Sequence, residues 1–310
     1  MKVVVFGGSG FLGSHVADIL TERKFKVTIF DLKRSPYLRV SQEMVVGDIL
    51  NEHLVEKTIK GASFVYNFSG IPDIAVAQQN PLECVKRNII GNTIILEGCR
   101  KVKIKRFIFA SSLYVYSKAG TFYRSTKQAC ELLIENYNEV FGLPYTILRY
   151  GSLYGPRADE RNFICKIINE ALRNRKIIRE GDGDEIREYI HVYDAARGSV
   201  DVLSGEFKNQ YAIITGNQQM KVKDILAMIK EMFDNKINIE YKPFDSTYHY
   251  EITPYTFAPK LAKRIISDSY LDLGQGILKC IQDAYKKLNS FPAYEGLVVK
   301  GRSKHHKVKS

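Results

Sequence analysis

The feature that most constrains the fold is a regular alternation of short apolar runs with segments of helical spacing. The runs are rich in Val, Ile and Phe and cover residues 2–6, 26–30, 44–46, 64–68, 106–110 and 145–149. Between them lie segments such as FLGSHVADILTER and PLECVKRNIIGNTIILEGCRK, whose apolar residues recur at helical spacing. Strands that are buried on both faces form continuous apolar runs, and repeated β–α order places such strands side by side. The pattern therefore predicts an α/β fold with a doubly wound parallel sheet.

Composition narrows the functional classes. The 310 residues include five cysteines without CxxC spacing, so neither a disulfide framework nor a metal site is expected. No secretory signal or membrane-spanning run is visible, which predicts a cytoplasmic protein without a membrane partner. The net charge is +12, but residues 300–310 carry five basic and no acidic side chains. We expect this tail to be disordered, and the remaining charge suits an anionic small molecule as well as a nucleic acid.

The first strand runs into a glycine-rich turn, VVVFGGSGFLGSHVADIL, with Gly7, Gly10 and Gly13 between strand and helix. Glycines at this position let backbone amides approach a pyrophosphate at the positive end of the helix. Asp31 ends the second strand, where a carboxylate binds the adenine ribose of a dinucleotide. The turn therefore predicts dinucleotide binding. Asp31 favours NAD over NADP, although Lys33 and Arg34 nearby weaken that preference.

Further motifs resemble those of the extended short-chain dehydrogenase/reductase family, the NAD-dependent nucleotide-sugar epimerases and dehydratases. The matching segments are GGSGFLG, VVGDI, NFSG, NIIGNT, SSLYVY, the YxxxK pair, LRYGSLYGPR and REYIHVYDAA. The resemblance implies a Rossmann-like NAD-binding domain over residues 1–150, to which residues 187–204 return. It implies a smaller, mostly substrate-binding region over residues 151–299. The implied NAD contacts are Gly7, Gly10, Phe11, Leu12, Gly13, Asp31, Leu32, Asp48, Ile49, Phe68, Ser69, Gly70, Asn88, Tyr123, Lys127 and Tyr150.

The resemblance makes Ser112, Tyr123 and Lys127 the catalytic residues. A phenol titrates near about 10, too high for an efficient base at neutral pH. Lys127 lies one helical turn from Tyr123 and would favour the phenolate, while Ser112 would orient the substrate. An isolated YxxxK pair is more often a solvated helix face. Here the pair follows a glycine turn and an SSxxVY strand end, which favours the catalytic interpretation.

Four residues are expected to contact the substrate, a nucleotide-activated sugar: Ser112, Tyr123, Asn162 and Arg187. The Arg187 guanidinium is a rigid fork that suits a diphosphate, and the alternative is a surface salt bridge to Glu185 or Glu188. Asn162 could equally be solvated. No second diphosphate-binding arginine motif is recognisable near the C-terminus, where the chain has YHYEITPYTFAPK instead. Its Tyr248, Tyr250 and Tyr255 would either stack on a base or sugar or pack against other residues.

The reaction expected is NAD-dependent epimerisation, at C4, through a transient ketone. Family dehydratases carry an Asp and a Glu after the catalytic hydroxyl, whereas this chain has Leu113 and Tyr114. The alternatives are a nucleotide-sugar oxidoreductase or dehydratase and, with less support, a non-catalytic NAD-binding regulator. No RNA-binding motif is present. The family also suggests a homodimer formed by the helices near residues 80–100 and 123–141.

Overall fold

The structure is a computed structural model, and it describes residues 1–216 and 219–243. Predictions for Tyr248, Tyr250, Tyr255 and the basic tail fall outside the described residues. The strands are β1 (Lys2–Phe6), β2 (Lys26–Asp31), β3 (Glu43–Val46), β4 (Ala62–Asn67), β5 (Arg106–Ser112), β6 (Tyr145–Tyr150), β7 (Ser152–Tyr154), β8 (Lys176–Glu180), β9 (Ile186–His191), β10 (Gln210–Ile214), β11 (Gln219–Lys221) and β12 (Asn238–Lys242).

Helices alternate with these strands through most of the described chain. They are α1 (Phe11–Glu22), α2 (Glu52–Ile59), α3 (Ile74–Gln79), α4 (Pro81–Val85), α5 (Gly91–Val102), α6 (Thr121–Phe141), α7 (Phe163–Asn174), α8 (Val192–Asp201) and α9 (Val222–Met232). A π-helical turn, Lys86–Ile90, joins α4 to α5. Short 3-10 helices cover Leu113–Tyr116 and Gly205–Phe207.

Seven strands form one parallel sheet in the order β10-β6-β5-β4-β1-β2-β3. This confirms the predicted Rossmann-like, doubly wound sheet, and each of the six apolar runs forms one of its strands. The chain adds strands outward from β1 in one direction and then returns to add β4 on the other side. Ligands of open α/β sheets bind at such a reversal, outside the carboxyl ends of the strands.

The two faces of the sheet are covered by separate hydrophobic cores. Alternate residues of β1 divide between them: Val3 and Val5 face one core, and Val4 and Phe6 face the other, all fully buried. Helices α1 and α8 pack on the first face, while α2, α5 and α6 cover the second. Two buried faces explain why the strands are continuously apolar.

The later part of the described chain forms two smaller sheets. One has the order β11-β9-β7, and the other pairs β8 with β12. Helices α7 and α9 supply most of a third core, which includes Ile167, Ile177 and Leu226. Within residues 1–216 and 219–243, none of the helices combines the length and apolar composition needed to span a bilayer.

Candidate active site

The carboxyl ends of the central strands open onto a cleft of about 970 Å³. Most of the residues predicted to bind cofactor or substrate line it. They are Gly7, Gly10, Phe11, Leu12, Gly13, Asp31, Leu32, Ile49, Phe68, Ser69, Gly70, Ser112, Tyr123, Lys127, Tyr150 and Asn162. Three other predicted site residues, Asp48, Asn88 and Arg187, are not among the described residues that line the cleft. The fold therefore gathers sixteen predicted residues, from separate stretches of the chain, around one cavity.

The glycine turn leaves no room for a side chain at Gly7 or Gly13. A Cβ atom on Gly7 would lie 2.6 Å from the carbonyl carbon of Phe68, and one on Gly13 would lie 2.3 Å from the Gly7 oxygen. Gly7 also has a φ of +74°, in the left-handed region that favours glycine. The start of α1 thus approaches β1 closely, and its first turn contains no acidic residue. Its amino-terminal amides suit an anionic pyrophosphate.

Asp31 lies at the end of β2 beside this turn. Its Oδ2 atom accepts a hydrogen bond of 2.9 Å from the Ser9 amide, which holds the carboxylate at the cleft wall. Leu32 follows it and is 55% exposed, so an apolar surface borders the carboxylate. A fixed carboxylate at this strand end suits the hydroxyls of an adenine ribose.

Asp48 does not line the cleft itself but forms an ion pair with a residue that does, Arg87. Its Oδ1 atom is 2.5 Å from Nη1 of Arg87, which also bonds Glu83, and it accepts the Leu50 amide at 2.9 Å. Burial acts to raise the pKa of Asp48, but these hydrogen bonds outweigh it and hold the pKa below its ordinary value. The neighbouring residue, Ile49, is the one that reaches the cleft.

Asn88, in the π-helical turn, supports a loop of the cleft wall through hydrogen bonds. Its Oδ1 atom accepts from the Ile71 amide at 2.7 Å, and its Nδ2 atom donates to the Ile71 carbonyl and to Thr126 Oγ1 on α6. Gly70 approaches so closely that a Cβ there would lie 2.5 Å from Asn88 Oδ1. Asn88 thereby fixes the turn after β4, which carries the cleft residues Phe68, Ser69 and Gly70.

Ser112, Tyr123 and Lys127 come together where β5 meets α6. Lys127 is 8% exposed, and its Nζ atom donates to the Ala110 carbonyl at 2.7 Å. The same atom lies 5.8 Å from the centre of the Tyr123 ring. Burial lowers the pKa of Lys127, and the neighbouring Cys130 and Glu131 side chains partly oppose that shift. An ammonium at this position favours ionisation of a nearby phenol.

The short connection between Ser112 and Tyr123 is fastened to α6. Gln128 donates to the Val115 carbonyl at 2.8 Å, and Arg124 donates to the Ser117 and Lys118 carbonyls. The Tyr114 ring meets the Tyr123 ring edge-on, with centroids 6.1 Å apart. These contacts fix the position of Ser112, at the strand end, relative to the helix that carries Tyr123.

Tyr150, at the end of β6, contributes to the cleft while its hydroxyl is held in the core. The hydroxyl lies 2.6 Å from Ser199 Oγ on α8. Burial raises the pKa of this phenol above its ordinary value. The hydroxyl of Tyr150 is therefore engaged in the core, and the residue lines the cleft with its ring.

The two predicted substrate residues of the later region differ in position. Asn162 lines the cleft and caps α7, because its Oδ1 atom accepts from the Cys165 amide at 3.2 Å while its Nδ2 atom donates to the Leu153 carbonyl. Arg187 lies on β9, half-buried, and donates to the Ile186 carbonyl at 3.0 Å. Its expected contact with a diphosphate stays a prediction.

Sequence reasoning overlooked Tyr37 and Arg157, which also line the cleft. The Arg157 guanidinium carbon lies 4.4 Å from the centre of the Tyr37 ring, and Nη2 bonds Asp18 of α1 at 2.7 Å. Arg157 closes the LRYGSLYGPR motif, so its position in that motif was an available signal. The contact between Arg157 and Tyr37 left no signal in the sequence, because it joins residues 120 positions apart.

The residues present fit an NAD molecule. The crowded glycine turn, the uncharged first turn of α1 and the fixed Asp31 carboxylate suit its pyrophosphate and ribose, and a buried lysine beside a tyrosine lies at the far end of the same cleft. Fold and site together define a class: a Rossmann-fold, NAD-dependent enzyme with the Ser, Tyr and Lys pattern of the short-chain dehydrogenases.

The comparisons with known proteins specify the family. The model of the NAD dependent epimerase/dehydratase family matches residues 3–213. The chain is 30% identical to a putative UDP-glucose 4-epimerase of Methanocaldococcus jannaschii over 249 residues, covering 74% of this chain and 81% of that protein. The chain belongs to the NAD dependent epimerase/dehydratase family. It is an enzyme of that family, and its cofactor is NAD.

Two further relatives show the range of the family. A UDP-N-acetyl-alpha-D-glucosaminuronate decarboxylase of Bacillus cytotoxicus is 26% identical, covering 80% of this chain and 85% of that protein. The crystal structure of UDP-glucuronic acid 4-epimerase from Bacillus cereus, in complex with UDP-glucuronic acid and NAD, matches with a TM-score of 0.74 and 25% identity. That match covers 84% of this chain and 90% of the other.

Proposed function

We propose that this protein epimerises a nucleotide-activated sugar at C4 through a transient ketone, with NAD as cofactor. The observation that carries the proposal is the meeting of Ser112, Tyr123 and Lys127 at one end of the cleft, without an acid–base pair in the two positions after Ser112. The similarity to 4-epimerases of UDP-sugars supports the same reaction.

Bound NAD supplies a hydride acceptor that can return the hydride to the same carbon. The chain's own residues handle the proton. Tyr123, as phenolate, takes the proton of the C4 hydroxyl, and the Ser112 hydroxyl donates a hydrogen bond to the carbonyl oxygen that forms. After the ketone turns its other face, Tyr123 gives the proton back to the oxygen. The Lys127 ammonium favours the phenolate form throughout.

Loss of water by the route of the family's dehydratases has less support. Elimination needs an additional acid and base beside the reacting carbons. Leu113 is fully buried in the core, and Tyr114 packs its ring against Tyr123. The positions that carry the two carboxylates in dehydratases therefore offer no carboxylate here.

Arg187 and Asn162 are proposed to contact the nucleotide part of the substrate, with Ser112 and Tyr123 at the sugar. Asn162 supports this assignment by its place in the cleft wall. For Arg187 the support is chemical, since a guanidinium matches the oxygens of a diphosphate.

The test is to incubate the purified protein, with and without added NAD, with a panel of UDP-, dTDP-, GDP- and CDP-sugars. Product configuration is followed by NMR and NADH by absorbance. We expect inversion at C4 of one sugar without net NADH. Stoichiometric NADH would replace the proposal with an oxidoreductase, and a dehydrated or decarboxylated product would replace it with one of those reactions.

We also propose a homodimer formed by the helices of residues 80–100 and 123–141. Apolar side chains are exposed on both: Leu82 and Ile90 on the first, Leu132 and Val140 on the second. Light scattering of Leu132→Lys, with Leu172→Lys on α7 as the matched exposed leucine, tests this surface. A dimer that persists in Leu132→Lys, or a wild-type monomer, contradicts it.

Three other expectations stay predictions. They are the division of the chain near residue 150, a cytoplasmic location, and the lack of a nucleic-acid partner. Titration with RNA before and after deletion of residues 300–310 measures the last of these. Strong affinity that survives the deletion would contradict it.

A further inference from the structure

One buried carboxylate near the candidate catalytic residues has no part in the mechanism above. Glu131, on α6, is 6% exposed. Its Oε1 atom accepts hydrogen bonds from Ser111 Oγ at 2.5 Å and from Arg149 Nε at 3.0 Å, and its Oε2 atom accepts from Arg149 Nη2 at 2.6 Å. A single side chain therefore joins α6 to the carboxyl ends of two neighbouring strands, β5 and β6.

Arg149 is itself held on both sides. Its guanidinium carbon lies 4.5 Å from the centre of the Tyr116 ring and 4.2 Å from that of Tyr211, and Nη1 donates to the Tyr116 hydroxyl. Tyr211 in turn donates to Glu135, one turn further along α6, at 2.7 Å. Stacking between two rings and a bidentate carboxylate leaves the guanidinium little freedom.

The positions of these residues connect them to the catalytic set. Glu131 follows Lys127 by four residues, so both side chains lie on one face of α6. Ser111 immediately precedes Ser112 in β5. The carboxylate consequently ties the helix that carries Tyr123 and Lys127 to the strand end that carries Ser112.

Stability alone is a weak reason for such an arrangement. A buried ion pair is often no more stabilising than apolar residues of similar volume, because both charges must leave water. What the pair does supply is fixed distance and direction between three elements. Catalysis depends on such placement, since a displacement of about 1 Å can lower a rate about a hundredfold.

We propose that Glu131 is a positioning residue, and that with Arg149 and Ser111 it forms a clamp that fixes Lys127 and Ser112 relative to each other where α6 meets β5. The proposal rests on the proposed function for its effect on turnover. Its effect on the NAD site does not rest on that function, because Lys127 is also one of the implied NAD contacts.

The test compares two double variants that each remove one negative and one positive charge. In E131A/R149M both the ion pair and the tether to Ser111 are lost. In E131Q/R149M the amide oxygen still accepts from Ser111. Replacing both charges avoids leaving either one buried and unpaired. Glu139→Ala, an exposed carboxylate two turns further along α6, is the matched control outside the clamp.

For E131A/R149M we expect kcat to fall about a hundredfold with KM within about twofold. In the same variant, the Kd for NAD measured by calorimetry should rise about fivefold, as for a lost hydrogen bond. The kcat of E131Q/R149M should be about tenfold higher than that of E131A/R149M, because the glutamine keeps the Ser111 hydrogen bond. Glu139→Ala should match the wild type in both measurements.

The clamp is contradicted if folded E131A/R149M keeps kcat and NAD affinity within about twofold of wild type, or if the two double variants are equally impaired. Should the double variants fail to fold, Ser111→Ala decides, with an expected tenfold or so loss of kcat at constant KM. If the wild type converts no nucleotide sugar, the proposed function fails, but the NAD affinities still test the clamp. An unchanged Kd in E131A/R149M then overturns it.

Discussion

The two sides of the cleft are built in different ways. On the cofactor side, the close approaches are made by the backbone at Gly7, Gly13 and Gly70, and Asp31 is fixed by a backbone amide. For the proposed substrate side, the candidates are polar side chains of the later part of the described chain: Asn162, which caps α7 in the cleft wall, and Arg187 on β9. The difference predicts that NAD recognition rests on local backbone geometry, whereas sugar recognition rests on individual side chains of later elements.

The largest effect is expected at Tyr123, where the two sides meet. Tyr123→Phe should lower kcat by about a thousandfold, because the base is removed, and leave the Kd for NAD within about threefold. Steady-state kinetics and calorimetry measure the two. Tyr241→Phe, which removes the hydroxyl of an exposed tyrosine on β12, is the control and should stay near wild type. Retained turnover in Tyr123→Phe would exclude it as the base.

The second-largest effect is expected from a backbone clash in the glycine turn. Gly13→Ala places a methyl group 2.3 Å from the Gly7 oxygen, so the turn must open. We expect NAD affinity to fall about a hundredfold, as for strong overpacking. Gly205→Ala, where nothing lies within 4 Å, should have no effect on NAD affinity. Equal NAD binding by both variants would show that the close approach is not needed.

Asp31→Asn tests the side-chain part of the cofactor side. Loss of a charged hydrogen bond to ribose should weaken NAD binding about twentyfold and reduce the preference for NAD over NADP. The control is Asp73→Asn, which also lines the cleft, because asparagine caps α3 as well as aspartate does. If Asp31→Asn binds both cofactors like the wild type, Asp31 has no role in recognition.

The smallest effect is expected on the substrate side. Arg187→Met should raise KM for the nucleotide sugar about fivefold, as for a partly exposed ion pair, with kcat and NAD affinity unchanged. Arg175→Met, an exposed arginine at the end of α7, is the matched control. An unchanged KM would remove Arg187 from the diphosphate site and favour a structural role.

The same contrast explains what the sequence could predict. The six strands and the glycine turn were predictable because burial on two faces and close backbone approach leave local patterns in the chain. The addition of β10 beside β6, and the contact of Arg157 with Tyr37, left no such pattern, because each depends on long-range pairing. Asn88 shows the limit of a motif: its position was identified, but its hydrogen bonds to Ile71 and Thr126 appear only in the folded chain.

The most direct test of the central claim follows the hydrogen at C4. The nucleotide sugar that the panel identifies is labelled with deuterium at C4 and converted in ordinary water, with the product analysed by NMR and mass spectrometry. The account predicts inverted configuration with deuterium retained at C4 and no NADH in solution. Deuterium lost to water, or NADH released in proportion to product, would contradict a hydride that leaves and returns to the same carbon.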